Sequence, residues 1–123
     1  MDYRKPVTFG ENWSASRYKV LPYFAVEKRI FLSRHDPVIL DLGCAAGWKG
    51  RRFRQYGRSP YGIDVVPERV ALAAHHGPVA IASGLQLPFA HETFDIIYIQ
   101  RVLHHIGDGT QALDEVVRCL KPG

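Results

Sequence analysis

Residues 38–50 read VILDLGCAAGWKG, and this stretch decides the fold of the chain. Its first five residues are apolar except for Asp41, as in a strand that is buried on both faces. The next residues are small, with glycines at Gly43 and Gly47, so that a ligand could approach the backbone there. Ligands of open α/β sheets bind beyond the carboxyl ends of the strands. We therefore expect this loop to be the ligand site.

The strand and the loop belong to a unit that repeats along the chain. Pro67 suits the first position of a helix, and Gly57 and Gly77 suit the ends of two helices. Strands are predicted at 38–42, 60–64, 78–82 and 94–99, and helices at 48–56, from Pro67 to Gly77, and along the stripe of Ala112, Leu113, Val116, Val117 and Leu120. In the second helix, Val70, Ala71, Ala73 and Ala74 are predicted to pack. Alternating βα units predict an α/β fold with three layers and a doubly wound, mostly parallel sheet of about four strands.

The two ends of the chain differ from this core. Residues 1–35 are predicted to form an irregular arm and a helical cap, with one helix at about 22–33. Residues 36–123 form the predicted core domain. The apolar strand at 94–99 calls for a neighbour on each side, and the sequence ends at LKPG, where a further strand would normally begin. We expect a C-terminal part to be missing, and the uncovered strand makes self-association plausible.

Composition excludes several classes of protein. The chain has 123 residues, is 46% hydrophobic and carries a net charge of +4, as expected of one small globular domain. It has no apolar run of 18 residues and no signal-like start, which predicts a cytoplasmic protein without a membrane span. The basic run at 49–58 contains Phe53 and Tyr56, which are needed to seat a helix. We interpret it as a solvated helix face and do not expect nucleic-acid binding.

The cysteines and paired histidines do not form a recognisable chemical site. Cys44 and Cys119 have neither metal-ligand spacing nor a disulfide framework, and both are interpreted as small buried residues. His75 and His76 are adjacent on a predicted helix and point to different sides, which makes a poor chelate. No metal site is predicted.

Five segments in order resemble one known family. VILDLGCAAG, YGID, LQLPF, FDIIYIQRVLHHI and ALDEVVRCLKPG together resemble the class I S-adenosylmethionine-dependent methyltransferases over about residues 36–123. The resemblance implies S-adenosyl-L-methionine as cofactor. It places the cofactor site at Asp41, Gly43, Cys44, Ala45, Gly47, Asp64, Val65, Ser83, Gly84, Leu85 and Gln100.

The resemblance also implies a role for most of these residues. Asp41 would lie near the methionine amino group, and the backbone of 43–45 would follow the methionine and the ribose. Asp64 would accept hydrogen bonds from both ribose hydroxyls, and Val65 would lie on the adenine face. Gln100 would border the methyl group, or would simply be a polar surface residue.

Two positions depart from the usual pattern of the family. Ala45 replaces a glycine, a change that is small if its φ is negative and costly if φ is positive. Ser83 replaces an acid that binds the adenine amino group in many relatives, so that this contact would be weaker, mediated by water or made by the backbone of Gly84 and Leu85. Other interpretations also remain for the two acids: Asp41 could be a solvated acid, and Asp64 an N-cap for the helix at Pro67.

The predicted reaction is transfer of a methyl group to an O, N or C nucleophile on a small molecule, by in-line displacement. His104 and His105 follow the fourth strand and are candidate general bases, although a packing or turn-capping role is favoured because methyl transfer can depend on positioning alone. One alternative is a truncated or degenerate domain that binds the cofactor or a protein partner without catalysis. A nicotinamide-dependent oxidoreductase is the other, but glycines at 43, 47 and 50 do not match its G-x-G-x-x-G fingerprint.

Overall fold

A computed structural model describes residues 28, 32, 35–99 and 110–122 of the chain. The strands are β1 (Ile39–Leu42), β2 (Tyr61–Asp64), β3 (Val79–Ile81) and β4 (Ile96–Ile99). The helices are α1 (Trp48–Gln55), α2 (Pro67–Ala73), which continues into a 3₁₀ turn at Ala74–His76, and α3 (Thr110–Cys119). Each predicted element of the core is present within these residues.

The four strands form one parallel sheet in the order β3-β2-β1-β4. The chain moves outward from β1 to β3 and then returns to the other side of β1. Between β1 and β4 the winding direction reverses, and in open α/β sheets a crevice for ligands lies at such a reversal. The predicted α/β, doubly wound fold is confirmed.

The strands begin one or two residues later than predicted. Val38 is 44% exposed and lies before β1, and its N–H donates to Asp95 Oδ2 at 2.8 Å. Phe94 lies outside β4 and pairs instead with Leu120, beyond the end of α3. Val38 and Phe94 continue the apolar pattern of the strands, but Val38 donates its N–H to a side chain and Phe94 pairs with Leu120, so neither belongs to the sheet ladder.

The core has two layers of side chains, one on each face of the sheet. On one face, Phe53 of α1 packs edge-on against Tyr98 of β4, with ring centroids 5.6 Å apart. On the other face, Leu40 and Leu42 of β1 meet Val116 and Cys119 of α3. Covering one sheet on both faces produces the three-layer arrangement.

Two predicted apolar faces are only partly right. On α2, Val70 and Ala73 are buried, whereas Ala71 and Ala74 are exposed. Helical periodicity places positions 70 and 73 on one face, and a run of alanines does not reveal which face that is. On α3, the buried positions are Ala112, Leu113, Val116 and Cys119, while Val117 and Leu120 are half-buried.

Part of the prediction falls outside the described residues. Of the helix expected at 22–33, Lys28 and Leu32 are described, and both are helical and exposed. The predicted arm at the start of the chain and the residues Gln100, His104 and His105 lie outside, so the cap domain and these site residues stay predictions. No described strand pairs with the outer edge of β4, and self-association there also stays a prediction. None of the described helices is long and apolar enough to cross a membrane.

Candidate functional site

The loop that follows β1 folds over the end of β2. The N–H groups of Gly43 and Cys44 both donate to the carbonyl oxygen of Ile63, at 2.9 and 2.8 Å. Gly43 has a φ of 80°, a left-handed conformation that glycine adopts without strain. The loop is therefore held against the neighbouring strand by its own backbone.

Gly47 ends the loop and begins α1. Its φ is 89°, and a Cβ at this position would lie 3.0 Å from Cα and 3.2 Å from Cβ of Ala73 on α2. Both the conformation and the close approach to a neighbouring helix require glycine here. The absence of a side chain at Gly47 thus serves the packing of two helices as well as the shape of the loop.

Asp64, at the carboxyl end of β2, joins two segments through its carboxylate. Oδ2 accepts a hydrogen bond from the Ala45 N–H at 2.9 Å, and Oδ1 accepts one from the Val66 N–H at 2.9 Å. The second bond lies at the start of α2, where Val66 is the N-cap residue. The N-cap role considered for Asp64 is not observed, because Val66 occupies the N-cap position of α2 and no side chain makes a capping hydrogen bond there. The carboxylate instead binds the Val66 N–H and also holds the glycine loop.

Asp41 is a second buried carboxylate at the same edge of the sheet. Its residue is 4% exposed, and burial raises its pKa from the ordinary value of 3.8 to about 7. Lys49 and Arg54 lower this pKa, while the nearby charge of Asp64 raises it further. A buried carboxylate in this position can accept a positively charged ligand group.

Ala45 occupies the loop position at which a glycine is usual, and its φ is 48°. A non-glycine residue in the left-handed region carries a cost of about 1–2 kcal/mol. The hydrogen bond to Asp64 helps to hold the residue in this conformation. Of the two possibilities considered from the sequence, a negative φ and a positive φ at Ala45, the structure shows the costly positive one.

The third part of the candidate site follows β3. The Leu85 N–H donates to Ser83 Oγ at 3.1 Å, while the Leu85 carbonyl oxygen accepts from Gln111 Nε2 at 2.9 Å. Both backbone groups of Leu85 thus have partners within the protein. Gly84 is buried, and the side chain of Leu85 is 36% exposed. Leu85 therefore offers a ligand its apolar side chain more than its backbone.

Val65 directly follows Asp64, and it is 61% exposed. An exposed valine is ordinary by itself. Its place beside the buried carboxylate nevertheless gives this edge of the sheet an apolar surface next to a hydrogen-bond acceptor.

Cys44 lies on the inner side of the loop and is buried. Burial raises the pKa of its thiol to about 12, and the charges of Asp41 and Asp64 raise it as well. A thiol in this state is a poor nucleophile. Its side chain lies over Gly62 of β2, where an added Cβ would come within 2.9 Å of Cys44 Cβ.

Arg54 is a residue whose place the sequence did not reveal. It belongs to the basic run interpreted as a solvated face, but its guanidinium is partly buried, donates to the Pro60 carbonyl oxygen at 2.8 Å and lies where a Cβ on Gly77 would be. Its charge also reaches Asp41. Arg51 and Arg52, on the same helix, are exposed as predicted.

The structure thus brings Asp41, Asp64 and the 43–47 loop together at one edge of the sheet. Val65 and the Ser83–Leu85 turn follow the ends of β2 and β3 at that edge. The described residues contain no group of three or more His, Cys, Asp or Glu side chains that could hold a metal ion. Gln100, His104 and His105 lie outside these residues.

Comparison with known proteins gives consistent matches. A family model described as a methyltransferase domain matches residues 40–123. The ubiquinone biosynthesis O-methyltransferase of Xylella fastidiosa (strain M23) is 29% identical over 109 residues, covering 80% of this chain and 42% of that protein. The uncharacterized methyltransferase YcgJ of Bacillus subtilis (strain 168) is 33% identical over 96 residues, covering 72% of this chain and 38% of that protein.

A solved structure adds a comparison of the folds. The S-adenosylmethionine-dependent methyltransferase from Mesorhizobium loti superposes with a TM-score of 0.67 at 27% identity, covering 80% of this chain and 48% of that chain. The chain spans less than half of the length of each of these three proteins.

Proposed function

The chain belongs to the class I S-adenosylmethionine-dependent methyltransferases, and on that premise we propose that it binds S-adenosyl-L-methionine at the carboxyl ends of β1, β2 and β3. In the complete protein this site would supply the methyl group for transfer to a small-molecule acceptor. The observation that carries the proposal is the hydrogen-bonded link between Asp64 and Ala45, which holds the glycine loop beside a buried acceptor.

The ribose end of the cofactor fits Asp64. A carboxylate offers about four acceptor positions, and two of these are used by the N–H groups of Ala45 and Val66. The remaining positions can accept the two ribose hydroxyls. Because the backbone bonds already orient the carboxylate, little ordering is needed when the ribose binds.

The methionine end fits Asp41. Its carboxylate is buried at the same edge of the sheet as the loop, and the amino group of the cofactor is a cation with N–H donors. An ammonium group beside Asp41 would favour the ionised carboxylate and offset the cost of its burial. The glycines on either side of the loop keep side chains away from this end of the ligand.

The adenine end fits the apolar surface after β2 and β3. Val65 offers an exposed side chain next to Asp64, and Leu85 offers another beyond β3. The Ser83 hydroxyl accepts from the Leu85 N–H, so its own proton remains free to donate to a ring nitrogen. These contacts would replace the acid that many relatives have at this position.

The cofactor supplies an electrophilic methyl group when it is bound. The role of the protein would then be to hold donor and acceptor in line and to exclude water, an effect that can contribute about 7–11 kcal/mol at best. Gln100, His104 and His105 remain candidates for residues near the acceptor. A small-molecule acceptor agrees with the name of the Xylella relative, which refers to ubiquinone biosynthesis.

Binding without transfer is the second candidate function. The cofactor site proposed above is formed by the ends of β1 to β3 and does not depend on which of the two functions applies.

Calorimetric titration of the 123-residue chain with S-adenosylhomocysteine tests the proposal, with NAD⁺ as the control ligand. We expect saturable heat and a raised melting temperature with S-adenosylhomocysteine and neither with NAD⁺. Absence of both signals with S-adenosylhomocysteine would refute the cofactor site. An assay of methyl transfer to a panel of hydroxylated aromatic acceptors then separates a transferase from a binding domain.

A further inference from the structure

Three polar side chains of α3 hold the loop that follows the Ser83–Leu85 turn. They are Gln111, Glu115 and Arg118, here called the α3 polar stripe. The spacing of four and three residues places them on one side of the helix. Their hydrogen bonds reach backbone groups that lie 26 to 31 residues away in the sequence.

Four backbone groups of the loop bind to this stripe. The Leu85 carbonyl accepts from Gln111 Nε2 at 2.9 Å, and the Leu87 N–H donates to Glu115 Oε1 at 2.8 Å. Arg118 donates from Nη2 to the Leu87 carbonyl at 2.9 Å and from Nη1 to the Phe89 carbonyl at 2.7 Å. A loop without regular secondary structure thus has partners for its backbone through a neighbouring helix.

Glu115 and Arg118 also orient each other. Arg118 Nε donates to Oε2 at 2.6 Å, and Nη2 donates to Oε1 at 3.1 Å, which makes a bidentate pair. Such pairs fix the direction of both planar groups. The two side chains therefore form a rigid support, in which the carboxylate holds an N–H and the guanidinium holds two carbonyls of the same loop.

Apolar contacts with α3 and with Phe94 also hold this loop. Leu87 is 3% exposed and packs with Val116 and Cys119 of α3, while Phe89 meets Phe94 edge-on with ring centroids 4.8 Å apart. These contacts hold the middle of the loop. The turn at its start is held by the stripe, through Gln111 and Leu85.

We propose that the α3 polar stripe consists of positioning residues that hold the Ser83–Leu85 turn where it contacts the adenine ring. This inference rests on the proposed function. None of the three side chains needs to touch the ligand. Gln111 acts through the Leu85 carbonyl, and the Leu85 N–H binds Ser83 Oγ. Glu115 and Arg118 act through Leu87 and Phe89, which continue the same loop. Loss of the stripe would therefore weaken contacts with adenine and leave those with ribose and the amino acid unchanged.

Two ligands distinguish contacts with adenine from contacts with the ribose and the amino acid. S-adenosylhomocysteine carries adenine, ribose and homocysteine, whereas S-ribosylhomocysteine lacks the adenine. For Arg118→Met we expect affinity for S-adenosylhomocysteine to fall about fivefold or more, and for Gln111→Ala about threefold, with unchanged affinity for S-ribosylhomocysteine in both. Affinities are measured by titration at a temperature at which each variant is fully folded, as judged by circular dichroism.

Asp114→Ala is the matched control, because Asp114 is an exposed acid on the same helix. It should leave both affinities unchanged. Gln111→Ala removes an exposed side chain and keeps the test valid if Arg118→Met does not fold. If a variant loses the same affinity for both ligands, or loses none for either, the positioning role is overturned. Binding of S-adenosylhomocysteine by the wild-type chain would still support the cofactor site in that case. If the wild-type chain binds neither ligand, the proposed function is overturned and this inference with it.

Discussion

The Ala45 N–H donates a 2.9 Å hydrogen bond to Asp64 Oδ2, across the ends of two neighbouring parallel strands. This bond joins a loop residue with a φ of 48° to a buried carboxylate. The strained residue and the acceptor thus form one unit, since the bond that orients Asp64 also holds Ala45 in its unfavourable conformation. Stability and ligand binding are therefore expected to depend on both residues.

Replacing Ala45 by glycine should stabilise the protein. Relief of the left-handed conformation contributes about 1–2 kcal/mol, and the greater entropy of glycine in the unfolded chain opposes this by roughly 0.4–1 kcal/mol. We expect the free energy of unfolding to rise by about 0.5–1 kcal/mol in urea denaturation. The control is Ala71→Gly, at an exposed helical position in α2, which should lower it by about 1 kcal/mol. A loss of stability in both variants would contradict the strain at Ala45.

Removing the carboxylate of Asp64 should weaken both the fold and the binding of ligand. In Asp64→Ala, the N–H groups of Ala45 and Val66 lose their acceptors, at a cost of about 1–3 kcal/mol for each group that remains buried. We expect S-adenosylhomocysteine to bind at least tenfold more weakly, a loss of about 1.4 kcal/mol or more. The exposed acid Glu68, replaced by alanine, is the control and should retain full affinity. Unchanged affinity in Asp64→Ala would remove this residue from the ribose site.

The positions of the two acids were accessible from the sequence, because Asp64 ends one apolar strand and Asp41 lies one residue before the end of another. The period of the strands and the glycines at 43 and 47 place Asp41 and Asp64 at one edge of a parallel sheet, as observed. Such local patterns are read along the chain without knowledge of its packing. A doubly wound parallel sheet follows the same logic, since repeated βα units leave few possible topologies. The order β3-β2-β1-β4 itself was not predicted.

Other features depend on contacts between distant residues and were not predicted. The sequence shows Arg54 as one of several basic residues, and nothing local reveals that its guanidinium packs against Gly77. The bonds from Arg118 to residues 87 and 89 are equally non-local. Ala45 shows the same limit at shorter range, because its φ of 48° accompanies a hydrogen bond to Asp64, 19 residues away, that the local sequence does not reveal.

Adding a methyl group at Gly62 should disturb the loop through Cys44. A Cβ there would lie 2.9 Å from Cys44 Cβ and 3.0 Å from Val79 Cγ1, which is closer than ordinary contact. For Gly62→Ala we expect a loss of about 1–3 kcal/mol in the free energy of unfolding, together with weaker binding of S-adenosylhomocysteine. Gly57→Ala is the control: its Cβ meets no atom within 4 Å, but its φ of 78° is strained, so stability should fall and affinity should not. Equal affinities in the two variants would show that Cys44 is not displaced.

Burial of Asp41 should make stability depend on pH in an unusual direction. The unfolded chain releases this proton near pH 4 and the folded chain near pH 7, so the folded state binds more protons between these values. Asp41 therefore lowers the free energy of unfolding by about 4 kcal/mol in total as the pH rises from about 4 to about 7. The stability of Asp41→Asn relative to wild type should accordingly increase by about that amount from pH 4 to pH 8. Denaturation curves over this range provide the measurement, and a difference between Asp41→Asn and wild type that stays constant with pH would contradict the raised pKa.

Binding of ligand should show the opposite dependence on pH. If the amino group of S-adenosylhomocysteine pairs with the ionised form of Asp41, binding must remove the proton that the free protein holds below about pH 7. Affinity should then rise from pH 5 to pH 7, by nearly tenfold per unit at the acid end, and level off above pH 7. Titrations of Asp41→Asn measure the contribution of all other groups, and should give weaker binding with a smaller dependence on pH than in the wild type. A wild-type profile as flat as that of the variant would place the amino group away from Asp41, even if Asp64 still binds the ribose.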